Sequence, residues 1–530
     1  MKILAVSMLR VGDLIMHENV LLNLLKENPE AEIHLLVNDV SERYAKTVNF
    51  VKKIHVFDRM QWQKCLLEEN RPLLGAYRGL SQLVQELNDC KFDKIINLTH
   101  TKISARLLDL IQASKEKLGM CFHEGKCAPV NNNWQRFMND NFSRGRSSPF
   151  HYVDILNPIA GNACPISLEK VRENSPLKFI ALQTLTSDPK KNWPLKNFLE
   201  LALLLKHSFA DKEIIVLAAP GEESTLRPAF ENVNEVSLRI APWNELKSIL
   251  QETALLVTGD TSVQHLAAQS GVPVLSLFLG AVCPERTSPY CSNAIVLHGS
   301  AELSVEDVFA TAQAQLQQTD IEDLKLQSHV YRTLLRSSGF HFLKKLGKGT
   351  EMINIKRALE QTVWQIYLDK GHQAPVGPFG SSSFNFIQEF SREIQSESVQ
   401  TWLKNRFSLT LAHFVFLEQL EVDFRRRSVQ AMTVHFGPTE GFRSLADIIK
   451  SYLFRRTEGQ DYFFNLEQEL ESNAVDFPGI QKIRQAFYEA KYLIQIESQF
   501  LKSLLQEMKE RGVPHVSGSR NLFDSRIAAP

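Results

Sequence analysis

Apolar residues follow two different rhythms along this chain. Over roughly the first 300 residues, short unbroken apolar runs alternate with segments that repeat every three or four positions. "KILAVS" (2–7) has the run of a buried strand. Leu14, Ile15, Val20, Leu21, Leu24 and Leu25 then line one face of a helix over about 14–27, with Gly12 and Asp13 in the loop before it. "EIHLLV" (32–37), "KIHVF" (53–57) and "KIINL" (94–98) predict three more strands. The alternation restarts at "FIALQ" (179–183) and continues through "EIIVLAA" (213–219), "SLRI" (237–240), "ALLVTG" (254–259), "VPVLSLF" (272–278) and "AIVLHG" (294–299). Helical patterns at 196–207, 243–252 and 261–270 lie between them. Strands alternating with helices predict βαβ units and mostly parallel sheets.

After about residue 300 the alternation stops, and 302–530 reads as almost wholly helical. The stretch 371–384, "GHQAPVGPFGSSSF", reads as a linker. Ile483, Phe487, Ala490, Ile494, Leu501, Leu504 and Met508 keep a helical rhythm. It starts near Asp476 and Pro478 and stops near Gly512 and Pro514. That rhythm suits a bundle helix or a self-associating coiled coil. The expected organisation is 1–160 and 161–320 as two Rossmann-like units facing a cleft, then a helical extension over 321–530.

Composition narrows the classes. With 44% apolar and 23% charged residues, the chain can bury ordinary cores. Lys plus Arg and Asp plus Glu both total 60, which argues against a generally basic nucleic-acid binder. The seven cysteines are scattered without a C-x-x-C pair, as in a reducing cytosol. Cys121, His123 and Cys127 form a fragment without four convergent metal ligands. The N-terminus lacks signal-peptide features, and no run reaches about 18–20 apolar residues. A cytoplasmic protein is expected, with peripheral membrane contact open. "FRRRSVQ" (424–430) and "FRRTEG" (454–459) are either solvated helix faces or contacts for anionic lipid.

Candidate chemistry gathers after strand ends. Asp13 reads as a helix N-cap or as a base able to take a proton from a substrate hydroxyl. Arg10 is placed to pair with it or to bind an anion. Lys190 and Lys191 in "SDPKKNWP" suit a phosphate or are plain surface lysines, and Trp193 anchors the loop. Glu222 and Glu223 in "LAAPGEEST" suit ribose hydroxyls or simply favour a helix start. In "TGDTSVQHLAA" (258–268), Gly259 permits a tight turn. Thr261, Ser262 and Val263 then offer backbone N–H groups to a diphosphate. His265 shares a helical face with Thr261 and reads as structural or catalytic. A dehydrogenase reading lacks a G-x-G-x-x-G after a strand.

Taken together, "GD" at 12–13, "KNWP" at 191–194, "GDTSVQHLAAQSGVPVLSLFLG" at 259–280 and the 96–120 stretch resemble glycosyltransferase family 9, the heptosyltransferases of lipopolysaccharide core synthesis. The resemblance spans about 1–300. It implies a GT-B fold and inverting, metal-independent transfer of a sugar from a nucleotide-sugar, typically an ADP-heptose, to a hydroxyl. The acceptor would be a lipopolysaccharide-core-like glycan or glycolipid, reached at the cytoplasmic face of the inner membrane. No cofactor is implied. By position, Asp13 matches the general base and Lys191 the phosphate-binding lysine. Glu222 or Glu223 falls near the ribose acid. Asp260, Thr261, Ser262, Val263 and His265 match the donor-holding motif. Arg10, Lys102 and Arg106 are candidate acceptor contacts. Ser262 stands where the family usually has glycine, and "GAVCP" (280–284) lacks the family's loop threonine. Those departures motivate an alternative: a non-catalytic nucleotide-sugar-binding or assembly protein on the same scaffold. Part of 305–345 is expected to be the helix that crosses back to the first domain in GT-B folds.

Overall fold

A computed structural model describes residues 1–67, 73–123, 126–129, 132–142, 148–162, 176–231, 233–280, 283–299, 303–370, 379–433, 466, 477–511 and 513. The chain divides into two compact units, Met1–Thr350 and Glu351–Pro530.

The first unit holds two sheets. The first is built from β1 (Lys2–Ser7), β2 (Glu32–Asn38), β3 (Val51–Phe57), β4 (Phe92–Asn97), β5 (Ala113–His123) and β6 (Lys126–Pro129). Their order is β3-β2-β1-β4-β5-β6, parallel except where β6 pairs antiparallel with β5. Ile3, Leu4, Ala5 and Val6 are all fully buried, as expected for a central parallel strand covered on both faces. The accompanying helices are α1 (Val11–Glu27), α2 (Glu42–Ala45), α3 (Arg59–Leu67), α4 (Leu73–Asp89), α5 (Lys102–Leu110), α6 (Asn133–Phe142) and α7 (Tyr152–Ile159).

The second sheet contains β7 (Phe179–Gln183), β8 (Glu213–Ala218), β9 (Val236–Ile240), β10 (Thr253–Gly259), β11 (Val274–Leu279), β12 (Ile295–Gly299), β13 (His329–Leu335) and β14 (His341–Lys345). Its helices are α8 (Leu195–Ser208), α9 (Glu223–Phe230), α10 (Trp243–Gln251), α11 (Ser262–Gln269), α12 (Pro284–Thr287) and α13 (Val305–Gln317). Its order is β14-β13-β12-β11-β10-β7-β8-β9. The six parallel strands β7 to β12 repeat the winding of the first sheet. In each half the strand order reverses beside the first strand, between β1 and β4 and between β7 and β10. Ligands of open α/β sheets bind outside the carboxyl ends of strands at such switch points.

Several sequence expectations change. The helical extension does not begin at 321, because β13 and β14 form an antiparallel hairpin that extends the second sheet. Tyr331 and Leu343 of that hairpin bury against Phe278 and Val296. The helix within 305–345 is α13, which packs on α8 and β10 of its own half and does not cross back. α1 starts at Val11, so Gly12 and Asp13 are helical. β5 was not foreseen, because "ASKEKLGMCFH" mixes basic and apolar residues without a clean alternation.

The second unit is helical: α14 (Glu351–Lys370), α15 (Gly380–Glu389), α16 (Ser391–Ile394), α17 (Glu397–Thr433) and α18 (Phe477–Glu510). The expected linker lies partly outside the described residues, at 371–378. Its remainder enters α15, where Phe386 is buried against Phe500 of α18 with ring centroids 5.6 Å apart. Burial there overrides the weak helix preference of the serines. The seven-residue seam of α18 is buried within the single chain, and α18 packs on α14, α15 and α17. That seam is therefore buried inside the bundle, as a bundle helix requires. Arg406 and Glu497 form a buried ion pair across α17 and α18, with Nη2 2.9 Å from Oε2. Asp476, Gly512, Pro514 and the 454–459 cluster lie outside the described residues, as do the side chains of 425–430. Among the described residues no helix is long and apolar enough to cross a membrane.

Candidate active site

At the carboxyl edge of the first sheet, β1 ends at Ser7 and Arg10 is the N-cap of α1. Asp13 is the third helical residue, and its Oδ2 accepts from the Arg10 backbone N–H at 3.1 Å. Asp13 is therefore not the N-cap: it is the third helical residue and closes the first turn from inside by accepting from the N-cap backbone. Burial raises its pKa above the usual carboxylate value. The Arg10 N–H and guanidinium offset this in part, and the Asp260 charge adds to it. Arg10 is exposed and reaches the other half, with Nη1 3.3 Å from Ser187 Oγ.

Beneath Asp13 lies a buried polar layer that sequence reading missed. One turn on from Asp13, His17 has Nδ1 2.8 Å from Ser7 Oγ and Nε2 3.2 Å from Tyr152 Oη. Burial lowers His17 to about 3, and burial with the Asp13 charge pushes Tyr152 well up. His100, just past β4, is lowered to about 4 by burial. Its Nδ1 is 3.0 Å from Gln135 Nε2, while its Nε2 has no partner among the described residues. The available signal was position alone: His17 falls at i+4 from Asp13, and His100 follows a strand.

The second sheet supplies opposite charge. Lys191 Nζ is 2.9 Å from Asp260 Oδ2. Gln264 Nε2 donates to Asp260 Oδ1 at 3.1 Å and to Thr287 O at 3.0 Å, and its Oε1 accepts from Ser276 Oγ at 2.7 Å. Asp260 is therefore held from both sides. Thr261 is the N-cap of α11, but its side chain makes no cap bond. Its hydroxyl sits 3.1 Å from that of Thr258, which donates to Gln183 Oε1 at 3.0 Å. The first-turn N–H groups of Ser262 and Val263 are left without a side-chain acceptor, and an anion can take that place. Gly259 sits in a close approach, since a Cβ there would lie 3.0 Å from Thr186 Cγ2.

The two edges meet. A Cβ on Gly12 would lie 3.6 Å from Ser262 Cα and 3.7 Å from His265 Cδ2, so the first turns of α1 and α11 face each other. Gln269 Nε2 donates to Ile15 O at 2.5 Å, and Tyr44 packs edge-on to Trp243 with centroids 5.2 Å apart. His265 is buried and lowered to about 4 by that burial, and its Nδ1 has no partner among the described residues.

Other candidates lie farther from this meeting point. Glu222 accepts from the Ala219 N–H at 2.7 Å, and Glu223 pairs with Arg227 one turn on. Both follow β8, the neighbour of β7. Lys102 and Arg106 are exposed on α5 beyond β4, and Arg106 stacks 5.3 Å over the Phe122 ring. In the 280–284 loop, residues 281–282 lie outside the described residues. Cys283 Sγ lies 3.2 Å from Glu285 Oε2, and its thiol is pushed up to about 11 by burial and that carboxylate.

The arrangement joins a proton acceptor of raised pKa to a lysine and an open helix N-terminus. It can deprotonate a hydroxyl while stabilising charge on a diphosphate.

The family model "Glycosyltransferase family 9 (heptosyltransferase)" matches residues 80–312, which includes Lys191 and the 259–265 motif but not Asp13. A comparison with curated proteins returns no match. Among solved structures, the chain is similar to E. coli heptosyltransferase WaaC with ADP, at 16% identity and TM-score 0.46, covering 59% of this chain and 100% of that one. It is similar to a family 9 glycosyl transferase from Veillonella parvula DSM 2008 at 17% identity and TM-score 0.48, covering 60% and 97%. For E. coli ADP-heptose lps heptosyltransferase II the values are 15%, 0.45, 60% and 99%. On the family match, residues 80–312 belong to glycosyltransferase family 9, and the chain carries a glycosyltransferase domain.

Proposed function

We propose that the first unit transfers a sugar, a heptose in the family's sense, from an ADP-linked donor to a hydroxyl of a lipopolysaccharide-core-like glycan or glycolipid, with inversion. The observation that supports this reading is the close approach of Gly12, the residue before Asp13 in the first turn of α1, to Ser262 in the uncapped first turn of α11. Asp13 takes the proton of the acceptor hydroxyl as that oxygen attacks the anomeric carbon. Attack comes from the face opposite the leaving nucleoside diphosphate. Charge developing on the diphosphate falls to Lys191 and the N–H groups at 262–263, which supply what a divalent cation would otherwise supply. Asp260 holds Lys191 extended towards the site before the donor arrives. Glu222 or Glu223 receives the ribose, and Arg10, Lys102 and Arg106 serve an anionic acceptor. Glu223 must then give up Arg227, an exposed pair of small worth.

The protein works at the cytoplasmic face of the inner membrane. Leu73, Leu74 and Tyr77 support peripheral contact, since they crowd the start of α4 at 62%, 62% and 68% exposure.

The test is transfer itself. Purified protein with ADP-heptose and a truncated core glycolipid yields an inverted product, and Asp13→Ala abolishes turnover while ADP binding persists in calorimetry. Tight donor binding without any product from the unmodified protein would instead favour the non-catalytic reading. Unchanged turnover in Asp13→Ala would remove Asp13 from the mechanism.

A further inference from the structure

We infer that the first sheet carries a second, unrelated site: a zinc-type transition-metal site formed by His34, His55 and Cys90. It lies between β2, β3 and the end of α4, away from the sugar-transfer machinery. His34 sits four strand residues before Asn38, or roughly 13 Å back from the carboxyl edge.

The ligand atoms of these three residues lie within 4.8 Å of one another. His34 Nδ1 and His55 Nε2 face each other at 3.0 Å, with their rings end to end, centroids 5.3 Å apart and planes within 21°, and both set edge-on to Phe92. Both imidazoles are buried. The outer nitrogen of each meets a carboxylate. His34 Nε2 is 2.9 Å from Glu32 Oε1, and His55 Nδ1 is 3.0 Å from Glu86 Oε1. Cys90 stands just past α4, its Sγ 3.3 Å from Glu86 O, where Lys91 at φ 53° turns the chain into β4.

Counting protons shows why a cation suits this chain of groups. Glu32, His34, His55 and Glu86 make three contacts in a row, and each contact needs one proton. Two neutral imidazoles bring only two. Any neutral tautomer therefore leaves one pair of lone pairs facing each other. If both outer nitrogens donate to their carboxylates, the unmet contact is the central one between His34 Nδ1 and His55 Nε2. A third proton there would place a net positive charge on two buried rings. A metal ion between the inner nitrogens, with the Cys90 thiolate as a third ligand, removes the conflict.

The surroundings suit such an ion. Metal-bound histidines usually donate their other ring N–H to a carboxylate, and here the outer nitrogen of each ring faces one. Zinc–nitrogen bonds of about 2.0–2.1 Å put tetrahedral ligand nitrogens about 3.3 Å apart, a few tenths beyond the present contact. A His₂Cys donor set with borderline-soft character selects zinc over magnesium or calcium. Glu86, the carboxylate behind His55, is itself paired with Lys53 at 2.8 Å.

The test uses the full chain, stripped with a chelator and titrated with Zn²⁺ against a chromophoric competitor, then with Co²⁺ alone. One equivalent should bind, and Co²⁺ should give a thiolate-to-metal charge-transfer band. Cys90→Ser should abolish that band and weaken Zn²⁺ binding by at least about tenfold. Glu86→Gln should weaken it by about 10–100-fold. Both substitutions are at partly exposed positions, and far-UV circular dichroism verifies that they fold. Absence of stoichiometric binding by the unmodified protein would overturn the inference. So would unchanged affinity in both Cys90→Ser and His55→Gln, which would place the metal elsewhere. Thermal stabilisation by ADP should be the same in Cys90→Ser as in the parent, keeping this site distinct from the donor site.

Discussion

The two halves of the first unit share one winding and differ in what they place at their carboxyl edges. The first edge carries a carboxyl of raised pKa above a layer of neutral histidines. The second carries a lysine–aspartate pair and an open helix N-terminus. The same scaffold thus places a buried carboxyl on one side and a compensated ion pair beside an uncapped helix start on the other. Burial explains the difference. At the first edge, desolvation disfavours charge on Asp13, His17 and His100 alike. At the second, Lys191 and Asp260 compensate each other, and no side chain caps α11.

The strongest way to break this comparison is to remove the Asp13 carboxyl. Asp13→Ala should lower kcat by about 10²–10⁴-fold with donor affinity nearly unchanged, as read by steady-state kinetics and calorimetry. Equal losses in kcat and in donor affinity would mean that the halves do not divide the labour in this way. Next in size is Lys191→Ala. Losing a charged hydrogen bond of about 1.5–3 kcal/mol should weaken ADP binding by roughly 10–100-fold. The pH dependence of stability follows. His17, His100 and His265 are lowered to about 3, 4 and 4 from 6.5. Their contribution is complete above about pH 6.5 and is lost as pH falls, by about 1.4 kcal/mol per pH unit for each histidine. Asp13 has the opposite sign, because its raised pKa costs stability as pH rises through it. Urea midpoints that stay level between pH 7 and pH 5 would contradict burial of the three rings. The smallest effect belongs to Ser262→Gly, which should change donor affinity by under about 1 kcal/mol, since the backbone N–H does the binding.

Much of this was legible along the chain. Unbroken apolar runs such as "KILAVS" and "ALLVTG" announced central strands, because strands covered on both faces leave no polar side. Position after a strand flagged Asp13, Lys191 and the 259–265 motif. The hairpin of β13 and β14 was hidden because it follows a helix and its strands, "HVYRTLL" and "HFLKK", are short and mixed. The start of α15 was masked by Gly, Pro and Ser, whose local preference yields to the burial of Phe386.

Sequence by itself determined the buried central strands, most helices between them and which loops carry charge, since those follow from periodicity and residue type within a few positions. Tertiary structure alone decided the strand order that makes β1/β4 and β7/β10 the switch points, and the approach of Gly12 to Ser262. It also decided the pairing of Lys191 with Asp260 across 69 residues and the meeting of His34, His55 and Cys90. Charge and proton affinity depend on distance and burial in space, and neither can be read from separation along a chain.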